Sequence, residues 1–392
     1  MRLPKRAELS EQQEKFLMEA PLDSPVLCVG PPGTGKTVLA LYRAALLEKM
    51  KKQADLVMHS KLLNRYVQRS LEDLDVDADT RTWHSWVYSH WQKGNGRLKM
   101  PEISRYNPDF MKAIDLIKQG KSPKPEGLYW EHLIIDEGQD FPKEFYLFLM
   151  VMMTDDSIVE GRQPPTVTVF ADENQRMSEE NNSTISQIKT YLPEAGGRGF
   201  YQVTENYRNT ARIAKLASHF YVGMSTGIPD IPEHRPGKVP LMRRFNSLEK
   251  EMESVVRWLH NNEDLSAGVI VANTRVQSRI VDALQPLAKT KGLKVQKYKS
   301  GTKVDTVDFY TSGTITVVCD KSCKGLEFDG VFIPQLQHYQ HDGVNEVFFN
   351  MKMYVMISRA RSHLQLSYSE CEQPPSVLKL FPRDKEVLKW DV

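Results

Sequence analysis

Hydrophobic positions in this chain fall into short apolar runs separated by stretches with helical spacing. The apolar runs are Val26–Val29, Leu56–Met58, His132–Ile135, Val167–Phe170, Gly268–Val271, Thr314–Val318 and Gly330–Ile333. Their richness in Val and Ile is typical of strands that are covered on both faces. Behind the first run, apolar residues recur at helical intervals over Thr37–Met50, which predicts a helix. Strands that alternate with helices predict parallel sheets, so the expected fold class is α/β.

Glycine and proline mark the expected domain organisation. The chain has 392 residues, enough for about two to three domains. Glycines in Pro193–Gly199 interrupt both the helix and the strand pattern, which predicts a boundary near residues 198–202. We therefore expect a first domain over residues 1–200 and a second over residues 201–392. Dense Pro, Gly and Lys at about residues 88–128 predict a small insertion in the first domain.

Overall charge and apolar content exclude some classes of protein. There are 52 Lys and Arg residues against 50 Asp and Glu residues, so a polyanion would need a local basic groove. The N-terminal residues lack the apolar segment of a secretory signal, and the longest apolar run, Phe145–Met153, is too short to span a membrane. The four cysteines are scattered without metal-binding spacing. We expect a cytoplasmic protein with reduced thiols and no membrane contact.

A glycine-rich segment carries the strongest chemical signal. Gly30–Thr37 matches G-x-x-x-x-G-K-[ST] between the first predicted strand and helix. In such a loop, backbone N–H groups bind phosphate oxygens, the lysine reaches the outer phosphates and the Thr hydroxyl binds Mg²⁺. The sequence therefore predicts binding of a nucleoside triphosphate. The predicted contacts are Gly30, Gly33, Thr34, Gly35, Lys36 and Thr37.

Acidic residues follow the strand predicted at His132–Ile135. In open α/β sheets, ligands bind at the carboxyl ends of strands. We expect Asp136 to hold the metal together with Thr37, and Glu137 to accept a proton from the attacking water. Without the phosphate loop, helix capping would explain the two acids equally well. Gln175, beyond the next predicted strand, is a candidate sensor of the terminal phosphate, although an ordinary turn also explains that segment.

Several segments, in this order, resemble the UvrD/Rep-like branch of superfamily 1 helicases. Leu9–Gln13 is similar to the family's Q motif, and Asp136–Asp140 differs from its DEAQD only at the alanine. Glu205–Arg208 resembles its NYR, Lys324–Phe328 its KGLEF, and Met353–Arg361 its YVALTRA. The resemblance covers nearly the whole chain. It implies two RecA-like P-loop NTPase domains with parallel sheets, and ATP bound in the cleft between them.

The resemblance also implies roles for single residues. Gln13 would read the adenine, Tyr207 would lie against it, and Glu327 would lie near the ribose. Arg208 and Arg359 would be arginine fingers. Hydrolysis of a triphosphate needs cations that meet the charge developing on the γ-phosphoryl group. For any single arginine, a surface salt bridge is the commoner finding.

Two further segments, His59–Leu63 and Thr82–Trp86, stand where the family contacts single-stranded nucleic acid. Base stacking on aromatic rings contributes about 1 to 3 kcal/mol per base. Core packing explains the tryptophans equally well, because aromatic residues at helical spacing more often line a core. The predicted nucleic-acid contacts are Ser60, Lys61, Trp83, His84 and Trp86.

The chain departs from the family mainly at the positions that are expected to bind nucleic acid. The large inserted subdomains of full-length relatives are missing or shrunken in a chain of this length. The aromatic residue that relatives carry after the position of Gln175 is absent. In Cys319–Lys324, residues of other types replace the Thr, His and Ser of the family's fifth motif. The residues expected to handle ATP match the family better than those expected to hold a strand.

These patterns leave two main hypotheses. The first is an ATP- and Mg²⁺-dependent helicase or translocase on single-stranded DNA or RNA, moving 3′ to 5′ by resemblance. The alternative is a nucleic-acid-sensing ATPase module that gates a partner effector such as a nuclease without unwinding. A kinase that uses the same phosphate loop is disfavoured, because Asp136 and Glu137 favour water as the nucleophile.

Overall fold

Two compact units make up the part of the chain that the structure, a computed structural model, describes. The N-terminal unit comprises Arg2–Pro31 and Gly35–Thr204. The C-terminal unit comprises Glu205–Val392, with which Pro32–Thr34 is grouped. The described residues are 4, 6–58, 64, 67–68, 70–72, 75–76, 78–122, 124–175, 182–224, 226–298, 311–339 and 346–391.

A parallel sheet forms the centre of the N-terminal unit. Its strands are β1 (Val26–Val29), β2 (Ala54–Met58), β3 (Asp79–Thr82), β6 (His132–Ile135), β7 (Thr166–Ala171) and β8 (Phe200–Gln202). The order across the sheet is β3-β2-β6-β7-β1-β8, and every neighbouring pair is parallel. A separate antiparallel hairpin pairs β4 (Glu102–Ser104) with β5 (Asn107–Pro108). Each strand that the apolar runs predicted in this unit is present.

Helices cover both faces of this sheet. Alternate residues of β1 enter different core clusters, since Leu27 and Val29 pack into one and Val26 and Cys28 into the other. This two-sided burial explains why the central strands are apolar throughout. The helices of this unit are α1 (Glu11–Glu19), α2 (Lys36–Lys49), α3 (Trp83–Asn95), α4 (Phe110–Lys118), α5 (Lys143–Thr154), α6 (Asp156–Val159), α7 (Ile185–Tyr191) and α8 (Pro193–Gly196).

The segment predicted as an insertion, at about residues 88–128, contains the C-terminal part of α3, the β4–β5 hairpin and α4. Its apolar residues Phe110, Ile114, Ile117 and Leu128 belong to the same core cluster as the side chains on one face of the sheet. Exposed positions in the hairpin include Ile103 and Tyr106. The segment therefore shares its core with the sheet on one side and exposes the hairpin.

The C-terminal unit repeats the same construction on a second sheet. Its strands are β9 (Leu241–Phe245), β10 (Ser266–Val271), β11 (Lys294–Tyr298), β12 (Thr314–Cys319), β13 (Phe328–Ile333), β14 (Ala360–Ser369) and β15 (Lys389–Asp391). The order is β11-β12-β10-β13-β14-β9-β15, again with parallel pairs throughout. The helices are α9 (Ala211–His219), α10 (Leu248–His260), α11 (Thr274–Lys289) and α12 (Glu346–Ile357).

Two mostly parallel sheets with flanking helices confirm the predicted α/β class and agree with two RecA-like domains. Helix α2 begins at Lys36, one residue before its predicted start. None of the described helices is both long enough and apolar enough to cross a membrane. The apolar run Phe145–Met153 lies within α5, whose side chains pack into the core.

A buried carboxylate ties α10 to the sheet of the C-terminal unit. Glu251 is fully buried, and its Oε1 accepts hydrogen bonds from the Gln335 N–H (3.1 Å) and the Ser367 hydroxyl (2.6 Å). Its Oε2 accepts from Gln335 Nε2 (2.6 Å) and the Ser369 hydroxyl (2.9 Å). Both serines lie on β14, and Gln335 follows β13. A buried charge is tolerated here because four donors replace its water.

Replacing Glu251 with Gln tests this account. An amide nitrogen cannot accept hydrogen bonds, so the donors on one side of the group lose their acceptor. We expect Glu251→Gln to destabilise the protein by about 2 to 4 kcal/mol in urea denaturation. Glu249→Gln, an exposed position in the same helix, should change stability by less than about 0.5 kcal/mol. Equal stability of the two variants would contradict the account.

Candidate active site

The predicted phosphate loop runs from the end of β1 into α2. Gly33 (φ +88°) and Gly35 (φ +80°) both have left-handed backbone conformations, which favour glycine. A Cβ at Gly35 would also clash with Gln13 Nε2. Gly35 caps α2 without a side-chain hydrogen bond. The first N–H groups of this helix are therefore not satisfied by a capping side chain, which is the arrangement that binds anions.

Lys36 is folded back onto the loop. Its Nζ donates to the carbonyls of Gly30 (2.6 Å) and Pro31 (3.1 Å) and lies 3.9 Å from Asp172 Oδ2. The side chain is 7% exposed. A phosphate at the loop would replace these backbone acceptors with stronger, charged ones.

The two residues predicted to hold a metal are in direct contact. The Thr37 hydroxyl donates to Asp136 Oδ2 at 2.7 Å. Burial, and secondarily the nearby Glu137, raises the pKa of Asp136 to about 6. A bound cation would offset both effects. A hydroxyl and a carboxylate form the donor set that Mg²⁺ uses beside phosphates, so these residues fit the ion.

The described residues contain no cluster of three or more His, Cys, Asp or Glu side chains arranged to hold a metal. Magnesium in phosphoryl-transfer sites does not need such a cage, because waters and phosphates complete its shell. The pair Thr37 and Asp136 is therefore sufficient as the protein's contribution.

Glu137, the predicted base, has a left-handed backbone conformation (φ +57°). Such a conformation is uncommon for a residue with a side chain and often occurs at functional sites. Gln139 Nε2 donates to Glu137 Oε2 at 2.6 Å, and Gln139 Oε1 accepts from the Asp172 N–H at 2.8 Å. The Gln139 amide thus links the carboxylate of Glu137 to the end of β7.

Asp172 and Gln139 are site residues that the sequence analysis did not identify. Asp172 is buried, which raises its pKa, and it accepts from Gln175 Nε2 at 2.7 Å. The predicted sensor Gln175 is therefore connected to Lys36 through Asp172. The available signal was position: Asp172 follows β7 as Asp136 follows β6, and these strands are neighbours in the sheet.

Gly138 replaces the alanine of the resembled DEAQD motif, and its surroundings explain the change. A Cβ at this position would lie 2.8 Å from Tyr146 Oη and would be closer still to Val169 Cγ1. The Tyr146 hydroxyl also donates to the Gly138 carbonyl at 2.6 Å. The side chains of α5 and β7 thus occupy the space that an alanine methyl would need.

Four further predicted ATP residues lie in the C-terminal unit. Arg208 forms an ion pair with Glu327, with its Nε 2.5 Å from Oε1, and Arg208 Nη1 is buried without a hydrogen-bond partner among the described residues. The Tyr207 hydroxyl is likewise buried without a partner there. Arg359 is buried, and its Nε donates to the carbonyl of Val355 at 3.0 Å. Their proposed contacts with ATP remain predictions.

The predicted adenine reader, Gln13, is buried at the start of α1. Its Oε1 accepts from the Ser10 N–H at 3.1 Å, and the Ser10 hydroxyl accepts from the Gln13 N–H at 3.2 Å. This capping box fixes the Gln13 side chain, with Nε2 next to Gly35. The side chain is therefore held against the phosphate loop.

The structure describes only some of the predicted nucleic-acid contacts, and two of those it describes are buried. Ser60 and Lys61 lie outside the described residues. Trp83 and Trp86 are 6% and 2% exposed and pack in the core, where Trp86 Nε1 donates to Asp55. Neither ring has a free face for a base in this structure, so core packing, the alternative explanation, describes both. His84 is exposed.

One comparison with known protein families matches the segment that contains the phosphate loop. Residues 13–181, which contain the phosphate loop and Asp136–Asp140, match a family described as an AAA domain. The chain thus contains an AAA-type P-loop domain, which implies nucleotide binding and supports an NTP-hydrolysing enzyme. The C-terminal domain of a possible DNA helicase from Lactobacillus plantarum WCFS1 aligns with 47% of this chain and 98% of its own, at 20% identity and a TM-score of 0.34. That similarity is too weak to carry a functional argument. No curated protein matches the chain.

The environment of Gly138 yields a stability prediction. We expect Gly138→Ala to destabilise the protein by about 1 to 3 kcal/mol, because the new methyl group is overpacked. Val169→Ala removes the nearest obstacle. In urea denaturation, the double variant should therefore be more stable than the sum of the two single effects by about 1 kcal/mol. Strict additivity would show that the methyl group does not meet Val169.

Proposed function

We propose that this protein is an ATP-dependent translocase or helicase of the UvrD/Rep-like type, acting on single-stranded DNA or RNA in the 3′ to 5′ direction. The observation that carries the proposal is the contact between Thr37 and Asp136. In the sequence, Lys36 directly precedes Thr37, and Glu137 directly follows Asp136. The AAA-type match over residues 13–181 supports the nucleotide chemistry. The ordered motifs of the C-terminal unit support the superfamily 1 type.

Each residue of the N-terminal site has a proposed role. The loop N–H groups and Lys36 bind and neutralise the phosphates. Thr37 and Asp136 would hold Mg²⁺, which would supply charge neutralisation on the phosphate oxygens. Glu137 accepts a proton from the attacking water, and Gln139 orients its carboxylate. Gln175 senses the terminal phosphate through its hydrogen bond to Asp172.

We assign the remaining charge stabilisation to Arg208 and Arg359. The guanidinium of Arg208 already faces one anion, Glu327, and has a buried N–H group without an acceptor among the described residues. A phosphoryl oxygen would provide that acceptor. Tyr207 and Gln13 are proposed to contact the adenine, and Glu327 the ribose. Each of these roles rests on the motif resemblance.

Two observations favour the second candidate function, an ATPase module that senses nucleic acid and gates a partner effector such as a nuclease. The tryptophans that could have held a strand are packed in the core. In the segment that resembles the fifth motif, Cys319 and Cys323 are also buried. Ser60, Lys61 and His84 then remain as the proposed contacts with a strand. Weak binding of a nucleic-acid strand suits a sensor better than a processive motor.

Removal of the phosphate-loop lysine tests the ATPase assignment. We expect Lys36→Ala to retain less than about 1% of steady-state ATP hydrolysis, because no other cation of the loop replaces it. Lys49→Ala, which alters an exposed lysine at the end of the same helix, should hydrolyse ATP at the wild-type rate. Substantial hydrolysis by Lys36→Ala would overturn the assignment.

Nucleic-acid dependence separates the two candidate functions. A motor should hydrolyse ATP at least about tenfold faster with its preferred single strand, and it should separate a duplex that carries a 3′ tail. The measurement compares single-stranded DNA, single-stranded RNA and duplex DNA at equal nucleotide concentration. Stimulation without strand separation, or stimulation by duplex alone, would favour the gating module, whereas strand separation by the isolated chain would reject it.

A further inference from the structure

An arginine outside the resembled motifs contacts the backbone of the segment that contains Tyr207 and Arg208. Arg235 Nη1 donates to the carbonyl of Tyr207 and to the carbonyl of Arg208, the latter at 3.1 Å. A guanidinium group that donates to two successive carbonyls fixes the orientation of the peptide unit between them. The side chains of Tyr207 and Arg208 emerge from either side of that unit.

The loop that carries Arg235 is itself anchored. The Ala211 N–H donates to the Arg235 carbonyl at 2.7 Å, which satisfies one of the first N–H groups of α9. Gly237 has φ +68°, and a Cβ there would clash with the Thr210 side chain. Arg235 is therefore held by its own backbone at a fixed distance from the segment that it binds.

The opposite end of this segment is fixed as well. Asn206 Oδ1 accepts from the N–H groups of Arg208 (3.0 Å) and Asn209 (3.1 Å). Asn209 Nδ2 donates to the carbonyls of Ser358 (3.2 Å) and Ala360 (2.6 Å). The N–H groups are thus bound by Asn206, and the carbonyls by Arg235. With the backbone fixed on both sides, the Arg208 side chain that pairs with Glu327 starts from a fixed Cα.

The position of Arg235 is electrostatically unfavourable for its positive charge. Burial and the neighbouring Arg361 lower its pKa from the ordinary arginine value. It is half-buried, and both of its acceptors among the described residues are backbone carbonyls. The hydrogen bonds to the two carbonyls offset these costs.

We propose that Arg235 is a positioning residue that holds the peptide unit between Tyr207 and Arg208, and so sets the position of the Arg208 guanidinium for ATP hydrolysis. The inference rests on the proposed function. In this proposal Arg235 acts through the backbone carbonyls that it binds, without contact with the nucleotide. Loss of its hydrogen bonds leaves the charge of Arg208 intact but allows the guanidinium to move, and small displacements of a catalytic group cost large factors in rate.

The test uses Arg235→Met, which keeps the apolar stem and removes the donors. We expect kcat for ATP hydrolysis to fall about tenfold or more. Arg235→Gln should show a smaller loss in the same direction, and Arg235→Lys, whose ammonium can donate to the same carbonyls, should retain most of the activity. Lys238→Met, an exposed cation of the same loop, is the matched control and should leave kcat unchanged.

A double-variant cycle separates positioning from general damage. In an Arg208→Ala background, Arg235→Met should change kcat by less than about twofold, because the group that it positions is gone. An equal loss in both backgrounds, or no loss in the wild-type background, would overturn the inference. If Arg235→Met does not fold, Arg235→Gln decides by the same criteria.

Hydrogen–deuterium exchange gives a readout that does not depend on activity. Arg235→Met should speed exchange in a peptide covering residues 204–210 without nucleotide, while a peptide from β10 stays unchanged. Unchanged exchange at residues 204–210 would overturn the inference. If the wild-type protein does not hydrolyse ATP, the proposed function fails and this exchange measurement alone decides on Arg235.

Discussion

Burial of the central strands on both faces is the constraint on which the candidate site depends. The side chains of β1, β6 and β7 are all buried, so charged groups are accommodated only beyond the strand ends. Because β6 and β7 are parallel neighbours, Asp136 and Asp172 reach the same edge of the sheet. The loop after β1 brings Lys36 to that edge as well. The charge cluster of the site thus follows from the construction of the sheet.

Three charged side chains with little exposure, Lys36, Arg208 and Glu251, are held by protein partners rather than by solvent. Lys36 contacts two carbonyls and Asp172, Arg208 contacts Glu327, and Glu251 accepts four hydrogen bonds. Such groups pay a desolvation cost but are fixed in one geometry. For Lys36 and Arg208, an incoming phosphate would exchange one set of contacts for another. It would not have to order a mobile side chain, which lowers the entropy cost of binding.

Apolar runs predicted the central strands because a strand buried on both faces can contain little else. The same rule could not find β3, β8, β11 and β15, which lie at sheet edges and carry polar residues. It also missed β14, whose Ser367 and Ser369 point at the buried carboxylate of Glu251. Both serines are polar, but their hydroxyl groups donate hydrogen bonds to Glu251 inside the core. Glu251 lies more than 100 residues away in the sequence, so the local pattern does not show this pairing.

The motifs predicted the contact between Thr37 and Asp136, because a phosphate loop and an acidic residue at the end of a strand are expected to hold the same metal ion. It could not predict that Trp83 and Trp86 are core residues, since helical spacing of aromatics fits both a core and a stacking surface. Gln139 and Arg235 were missed for another reason. Each acts through hydrogen bonds to distant backbone or side chains, and a single sequence carries no record of such contacts.

In the proposed mechanism, Glu137 performs the chemistry at a site built by Lys36, Thr37 and Asp136. The most direct measurement compares wild-type protein with Glu137→Gln in two assays, Mg²⁺-dependent ATP binding and single-turnover hydrolysis. The proposed role of Glu137 predicts binding within about twofold of wild type and hydrolysis at least about 100-fold slower, because the amide cannot accept the proton of water. Hydrolysis at the wild-type rate by Glu137→Gln, or a wild-type protein that does not bind ATP, would contradict it.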